Sequence, residues 1–169
     1  MKGAFINKLA ELSLEVYEHL GGGNFDEKDY QKALGFEFKL NRIEYLREAH
    51  LELYYKEIPL KLGAPDFFLN KISTPALIEL KLGSGLDDSN RHQLNMYLAS
   101  IKRSSNSVFK GVNEGYLVNF LKTEPLLYLD TERKTKGKSI FKIDIEHFKL
   151  NKKNKFLRLN KISIGQIKT

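Results

Sequence analysis

The sequence predicts an α/β fold in which helices flank a central sheet, because helix-like and strand-like hydrophobic patterns alternate along it. Between Phe5 and Leu20 apolar residues recur every three to four positions, as in an amphipathic helix. From Glu44 to Leu62 the pattern becomes strand-like, with Leu51, Leu53 and Tyr55 alternating with polar or aromatic residues. Helices and strands mixed in this order are typical of a sheet covered by helices.

Turn and capping residues divide the chain into elements. Gly21-Gly22-Gly23 ends the first helix, and Gly63-Ala64-Pro65 marks a strand entry. Asp87-Asp88-Ser89 offers caps for a third helix. The predicted helices lie near 5–20, 26–41 and 90–101, and the predicted strands near 44–62, 66–69, 76–82, 115–121, 126–129, 139–145 and 156–159.

The composition favours one globular domain with an appendage. The chain has 169 residues and a hydrophobic fraction of 41%, which is ample for a core and excludes global disorder. It contains no cysteine, so disulfides, thiolate metal sites and a cysteine nucleophile are excluded. We expect a core at residues 1–121 and a basic C-terminal extension at 122–169, packed on that core and containing strands.

The positive charge is concentrated at the C-terminal end of the chain. The net charge is +7, but residues 122–169 alone hold 13 Lys and Arg against 5 Asp and Glu. Such a segment suits a polyanion, because lysines that neutralise phosphates release counterions. A solvated lysine-rich tail is the alternative, and charge alone does not choose between them.

No targeting or membrane-spanning segment is visible in the sequence. Glu11 and Glu15 interrupt the first apolar stretch, which is therefore a helix pattern and not a signal peptide. No apolar run approaches the roughly 18 residues that a membrane span needs. We therefore expect an intracellular protein, cytoplasmic or nuclear, without a membrane partner.

Three charged residues lie at adjoining strand ends. Asp66 follows Pro65 at the start of one short strand, and Glu79 and Lys81 lie two residues apart in the next. Residues at i and i+2 of a strand share a face, so Glu79 and Lys81 point the same way. The intervening turn can bring Asp66 beside them. The three side chains are thus predicted to converge at one end of a buried sheet.

This constellation predicts a divalent metal site. Two buried carboxylates repel each other unless a cation lies between them. Mg²⁺ prefers oxygen ligands in octahedral geometry, so Asp66, Glu79 and the backbone carbonyl of Leu80 are the candidate ligands. Lys81 would then lie near a metal-bound water and a phosphate, an arrangement suited to hydrolysis of a phosphodiester. The alternative is a structural ion pair between Glu79 and Lys81, which is common on strands.

These residues resemble the signature of a known nuclease superfamily. Pro65-Asp66 followed by Glu79-Leu80-Lys81 is similar to the motif of the PD-(D/E)xK nucleases, whose fold is restriction-endonuclease-like. Gln93 and Tyr97, one turn apart on the third helix, resemble the QxxxY motif of RecB-like members. The resemblance implies a central mixed sheet flanked by helices, a Mg²⁺ or Mn²⁺ cofactor, and a position for Gln93 and Tyr97 beside the catalytic residues.

A narrower resemblance covers residues of about 4–121. The leading helix, the glycine turn and Glu27-Lys28-Asp29-Tyr30 are similar to the GxxExxY branch of the superfamily, although its motif glycine falls on Asn24. The resemblance implies that Glu27 is a further acidic residue that assists the metal or the water. An exposed glutamate in the first turn of a helix is the alternative.

Further candidates concern nucleic-acid binding. Arg91, at the start of the third helix, is predicted to contact phosphate, and Tyr97 to contact the nucleic acid beside the site. In the extension, basic residues interleaved with Phe156 are predicted to follow a backbone: Lys152, Lys153, Lys155 and Arg158. They could equally guard an exposed strand edge.

Three functional hypotheses follow from these observations. The first is a Mg²⁺- or Mn²⁺-dependent nuclease that hydrolyses nucleic acid, with DNA favoured over RNA. The second is a catalytically silent nucleic-acid-binding or assembly protein that uses the nuclease fold. The third is an interaction or structural subunit, such as a homodimer, in which apolar residues such as Phe67 and Phe68 could serve an interface as well as a core.

Overall fold

The computed structural model describes residues 4–122 and 139–168. The helices are α1 (Ala4–Leu20), α2 (Glu27–Leu40) and α3 (Asp88–Ile101). The strands are β1 (Leu46–Arg47), β2 (Leu51–Tyr55), β3 (Ile58–Gly63), β4 (Phe67–Leu69), β5 (Ala76–Gly83), β6 (Glu114–Leu121), β7 (Ser139–Leu150) and β8 (Phe156–Lys168). Within the described residues, no helix is long and apolar enough to cross a membrane.

The central sheet is mixed. Its six strands lie in the order β1-β4-β5-β6-β7-β8; β5 and β6 are parallel, and the other neighbouring pairs are antiparallel. Strands β2 and β3 form a separate antiparallel hairpin. The predicted α/β fold with a mixed sheet flanked by helices is confirmed. The predicted strand region at 44–62 consists of β1 and this hairpin.

Local sequence explains where the helices begin and end. Gly21 has a φ of 68° and donates its N–H to the carbonyl of Tyr17, so a residue without a Cβ ends α1. Asp26 and Asp29 form a reciprocal capping box at the start of α2. Asp87 and Asn90 do the same for α3. These caps fix the positions at which α2 and α3 start, and both helices carry residues of the site in their first turns or shortly after.

Two hydrophobic clusters lie on opposite faces of the sheet. Ile78 and Leu80 of β5 pack with α1 and α2 on one face, whereas Leu77 packs with α3 on the other. By the alternation of a strand, Glu79 and Lys81 therefore share the face covered by α3. Burial of β5 leaves little water near Glu79, whereas Lys81 is only half-buried. The side chains around Glu79 must therefore compensate for the lost hydration of its carboxyl.

Phe67 and Phe68 belong to these two clusters. Their side chains are 0% and 1% exposed and point to opposite faces of the sheet. Of the two roles open to them in the sequence, core or interface, these two residues have the core role. Their apolar run reflects a strand that is buried on both sides and not a surface.

The C-terminal strands are longer than their predicted ranges of 139–145 and 156–159. Strand β7 continues to Leu150 and β8 to Lys168, and they pair along almost their whole length. Two polar residues that interrupt the apolar pattern of β7 are buried and partnered, Glu146 by Arg91 and His147 by Glu114. The predicted strand at 126–129 and the basic connection at 133–138 lie outside the described residues.

Candidate active site

Asp66 is held firmly at the entry to β4. Its Oδ1 accepts a hydrogen bond from Gln31 Nε2 of α2 at 2.7 Å, and its Oδ2 accepts one from the Leu80 backbone N–H at 2.7 Å. Strands β4 and β5 pair with Phe67 opposite Ile78, so Asp66 lies beside Glu79. Each carboxylate oxygen has a second lone pair, so both atoms of Asp66 retain acceptor capacity for a further ligand.

Glu79 is a buried carboxyl beside a second carboxyl. Its side chain is 2% exposed, and its Oε1 atom is buried without a hydrogen-bond partner in the described part of the chain. Burial above all, together with the neighbouring Asp66, raises the pKa of Glu79 to about 9, although Lys81 and Tyr97 act to lower it. In the metal-free protein Glu79 therefore holds a proton at neutral pH.

Glu27 lies within reach of the same cluster. As the first residue of α2 it is partly buried, and burial and the charge of Asp66 raise its pKa. Lys81 and a hydrogen bond from the Leu82 backbone lower it. The structure thus brings Glu27, Asp66, Glu79 and Lys81 together, from α2, the start of β4 and the second half of β5.

The spacing of Glu27 and Tyr30 has a structural reason. Tyr30 is fully buried, and its hydroxyl donates a hydrogen bond to the backbone carbonyl of Gly21, at the end of α1. This contact joins the glycine turn to the first turn of α2. Because Glu27 lies one turn before Tyr30 along the helix surface, the contact also fixes the position of Glu27 relative to the end of α1, while the hydrogen bond from Gln31 ties α2 to Asp66.

Gln93 and Tyr97 form a connected pair on α3. Gln93 Nε2 donates to the Tyr97 hydroxyl oxygen at 3.1 Å. Burial and the charge of Glu79 raise the pKa of Tyr97 to about 12, so the phenol is neutral and interacts with the Glu79 carboxyl. Gln93 thus reaches the carboxylates through Tyr97, and its contact orients the phenol.

Arg91 is engaged by acidic residues of the protein itself. Its Nε and Nη2 donate to the two carboxylate oxygens of Glu146 on β7, at 2.8 and 2.9 Å, and its Nη1 to Asp88 at 2.9 Å. The Glu146 side chain is 1% exposed, and Arg91 lowers its pKa. This bidentate pair ties α3 to β7 across the site face of the sheet.

Removing Arg91 is expected to destabilise the fold. An Arg91→Ala variant leaves Glu146 buried without its main partner, which costs about 3 kcal/mol of unfolding free energy at neutral pH. The cost should shrink as the pH falls through the lowered pKa of Glu146, since a protonated carboxyl needs no cation. Urea unfolding at several pH values measures it. Asp88→Ala removes the fully exposed partner of Arg91 and serves as the control, with little expected change.

The basic residues of the extension divide into two groups. Lys152, Lys153 and Lys155 lie in the turn between β7 and β8, at the end of the sheet where Glu114 pairs with Lys149. Glu79 and Lys81 pair with Leu117 and Asn119, further along β6. The turn is therefore separated from the carboxylates by several residues of strand. By contrast, Arg158 Nη1 lies 3.5 Å from Glu146 Oε1, so Arg158 is a second partner of the carboxylate that binds Arg91.

Sequence reasoning left two residues of the site without a role. Gln31 holds Asp66, and its Oε1 in turn accepts from Arg47 at 3.3 Å; its position one turn after Glu27 was the available signal. Asn119, 1% exposed, donates to the Gly83 carbonyl at 3.2 Å, while its Oδ1 is buried without a hydrogen-bond partner in the described residues. A lone amide within the apolar run of β6 was the signal there.

The arrangement fits a divalent cation held by few protein ligands. Glu79, which has an unpartnered buried oxygen, lies beside Asp66, and a cation there would offset both the burial and the repulsion that raise the pKa of Glu79. Within the described ranges, no three His, Asp or Glu side chains are grouped closely enough to hold an ion. The candidate direct ligands are Asp66, Glu79 and backbone oxygen. Mg²⁺ commonly retains several waters in sites with few protein ligands.

Comparison with known proteins agrees with this geometry. The family model of the PD-(D/E)XK nuclease superfamily matches residues 4–129, most of the chain. No curated protein and no solved structure matches the chain. Nucleases of this superfamily typically use divalent metals. The chain belongs to the PD-(D/E)XK nuclease superfamily.

Proposed function

We propose that this protein is a nuclease that hydrolyses phosphodiester bonds of nucleic acid with Mg²⁺ or Mn²⁺. The observation that carries the proposal is the buried carboxyl of Glu79 next to the half-buried Asp66, beside Lys81, in a member of a nuclease superfamily. A structural role alone gives no reason to bury Glu79 beside a second carboxyl. We also propose membership of the GxxExxY-like branch, on the contact between Tyr30 and the glycine turn.

Each side chain of the cluster has a proposed role. Asp66, Glu79 and the Leu80 carbonyl hold the metal ion, which when bound supplies Lewis-acid catalysis and a more acidic water. Lys81, close to both Glu27 and Glu79, orients the attacking water and offsets the negative charge that develops on the phosphate. Glu27 accepts a proton from that water or holds it in place. Gln93 positions Tyr97 against Glu79.

Nucleic acid is the proposed substrate, with DNA favoured over RNA. The net charge of +7 and the basic extension favour a polyanion. Lys152, Lys153 and Lys155 are proposed to contact the backbone at a distance from the cleaved bond, since their turn lies away from the carboxylates. Glu146 compensates part of the positive charge of Arg91 and Arg158. We propose that the remaining positive charge of these two arginines attracts the nucleic acid.

A cleavage assay tests this proposal. Labelled DNA and RNA oligonucleotides are incubated with wild type, with Asp66→Ala and with EDTA, in Mg²⁺ and in Mn²⁺. We expect cleavage of DNA by wild type with metal only. Absence of cleavage by wild type in either metal, together with salt-sensitive DNA binding that survives loss of Glu79, would support the silent binding protein instead.

Gln31 is expected to tune metal affinity without touching the metal. A Gln31→Leu variant removes the hydrogen bond to Asp66 Oδ1, and loss of such an outer partner typically weakens metal binding by about 10- to 100-fold. Calorimetric titration with Mn²⁺ measures the change. Gln31→Glu keeps the size of the side chain but replaces the amide donor, so it separates hydrogen bonding from packing. Unchanged Mn²⁺ affinity in both variants would contradict the role of Gln31 in holding Asp66.

A further inference from the structure

A pocket of about 430 Å³ adjoins the proposed active site. It lies between the β2–β3 hairpin and the first half of α3. Gln93 and Tyr97 line it, and the same Tyr97 interacts with Glu79. One aromatic side chain therefore serves both the pocket and the carboxylate cluster, so whatever occupies the pocket lies beside the bond to be cleaved.

The pocket combines apolar walls with a polar, carboxylate-free rim. Leu53, Leu62 and Met96 contribute apolar surface beside the Tyr97 ring. The described lining contains Lys61 and His92 but no aspartate or glutamate. A flat apolar ligand with hydrogen-bonding edges and a nearby negative charge fits this chemistry, and a nucleobase with its phosphate has those properties.

Gly63 keeps the strand close to the helix at this point. A Cβ on Gly63 would lie 2.7 Å from Tyr97 Cε1 and 3.2 Å from Leu53 Cδ2. The absence of a side chain lets β3 approach α3 and brings Leu62 and Lys61 to the edge of the pocket. Two residues later the chain enters the Pro65-Asp66 segment, so the pocket and the carboxylates are built by one continuous stretch.

The hairpin also exposes apolar surface where the pocket opens. Ile58, Leu60 and Leu62 of β3 are 60%, 59% and 64% exposed. Tyr55, paired with Ile58, is exposed beside them. Exposed apolar residues that form a cluster often mark a binding surface. Bases offer an apolar face only when they are unstacked, because a duplex buries it.

We infer that this pocket receives a nucleobase of the substrate strand next to the scissile phosphate, and that the preferred substrate is therefore single-stranded or frayed at its end. The inference rests on the proposed nuclease function and specifies its substrate. The base packs against Met96 and the part of Tyr97 that lines the pocket, with Leu62 at the rim, and Lys61 lies near the adjoining phosphate. A fully paired strand cannot place its base there without breaking a base pair.

The test compares intact and abasic single-stranded oligonucleotides, after the cleavage position has been mapped. For wild type in Mn²⁺, removing the base next to the scissile bond should lower kcat/KM about tenfold, as expected for one stacked base. Met96→Trp fills the pocket, and Leu62→Ser removes an exposed wall. Both should cleave the intact strand more slowly and lose the difference between intact and abasic substrates.

Controls separate this inference from the proposed function. Val108→Ser removes an equally apolar exposed side chain outside the pocket lining and should behave as wild type. Mn²⁺ affinity should be unchanged in Leu62→Ser. Wild-type cleavage that is equal on intact and abasic strands, or faster on fully paired DNA, would overturn the base pocket while leaving the nuclease intact. A wild type that cleaves no substrate would overturn both.

Discussion

A Lys81→Met variant is expected to bind Mn²⁺ within about tenfold of wild type but to cleave DNA roughly 10²–10⁴-fold more slowly, the range that a positioned proton-transfer or charge-stabilising group commonly contributes. Lys81 is not an oxygen donor, so its removal leaves the proposed ligands in place. Its charge lies close to Glu27 and Glu79. The effect should therefore appear in kcat more than in KM.

The control for this variant is Lys71→Met. Lys71 pairs with Glu44 on the surface, and both side chains are largely exposed, so its loss removes one positive charge far from the carboxylates. Full activity in Lys71→Met and loss in Lys81→Met would locate the effect at the site. Full activity in Lys81→Met would contradict the role given to the ammonium group.

Glu79→Gln is expected to stabilise the metal-free protein, and more so as the pH rises. The pKa of Glu79 is raised from 4.5 to about 9 in the folded state. Above pH 4.5 the unfolded chain releases this proton and the folded chain retains it. The folded state therefore loses stability as the pH rises through this window. Glutamine has the same shape and no such proton.

The expected gain for Glu79→Gln in EDTA is about 2 kcal/mol or more at pH 8, since one pKa unit corresponds to about 1.4 kcal/mol. Urea unfolding between pH 5 and pH 9 measures it against Glu11→Gln, an exposed control. Added Mn²⁺ should reverse the order, because wild type gains binding energy that the variant lacks. A difference that is independent of pH would contradict the protonated buried carboxyl.

Local patterns were sufficient to predict the parts of the site that lie close together in sequence. The two-residue spacing of Glu79 and Lys81 fixes their common face whatever the rest of the fold. Asp26 and Asp87 cap the first turns of α2 and α3 with their own side chains and so indicate where these helices start. Such features depend on a few neighbouring residues, so the sequence alone specifies them.

Features that depend on strand register could not be predicted in this way. The residue type of Arg91 and its place at a helix start predicted a phosphate contact. Its actual partner, Glu146, is positioned by the pairing of β7 with β6, which the sequence does not reveal. The same register places Lys152 and its neighbours at the far end of the sheet from Lys81. Gln31 meets Asp66 across 35 positions of chain, a contact that no local pattern encodes.

The central claim is that Asp66 and Glu79 hold a catalytic divalent ion. It is tested most directly by calorimetric titration of Mn²⁺ into wild type and into the Asp66→Ala/Glu79→Ala double variant, with DNA cleavage assayed on the same samples. We expect binding and metal-dependent cleavage by wild type, and loss of both in a double variant that remains folded. Equal Mn²⁺ binding by the two proteins, or cleavage by the double variant, would contradict the account.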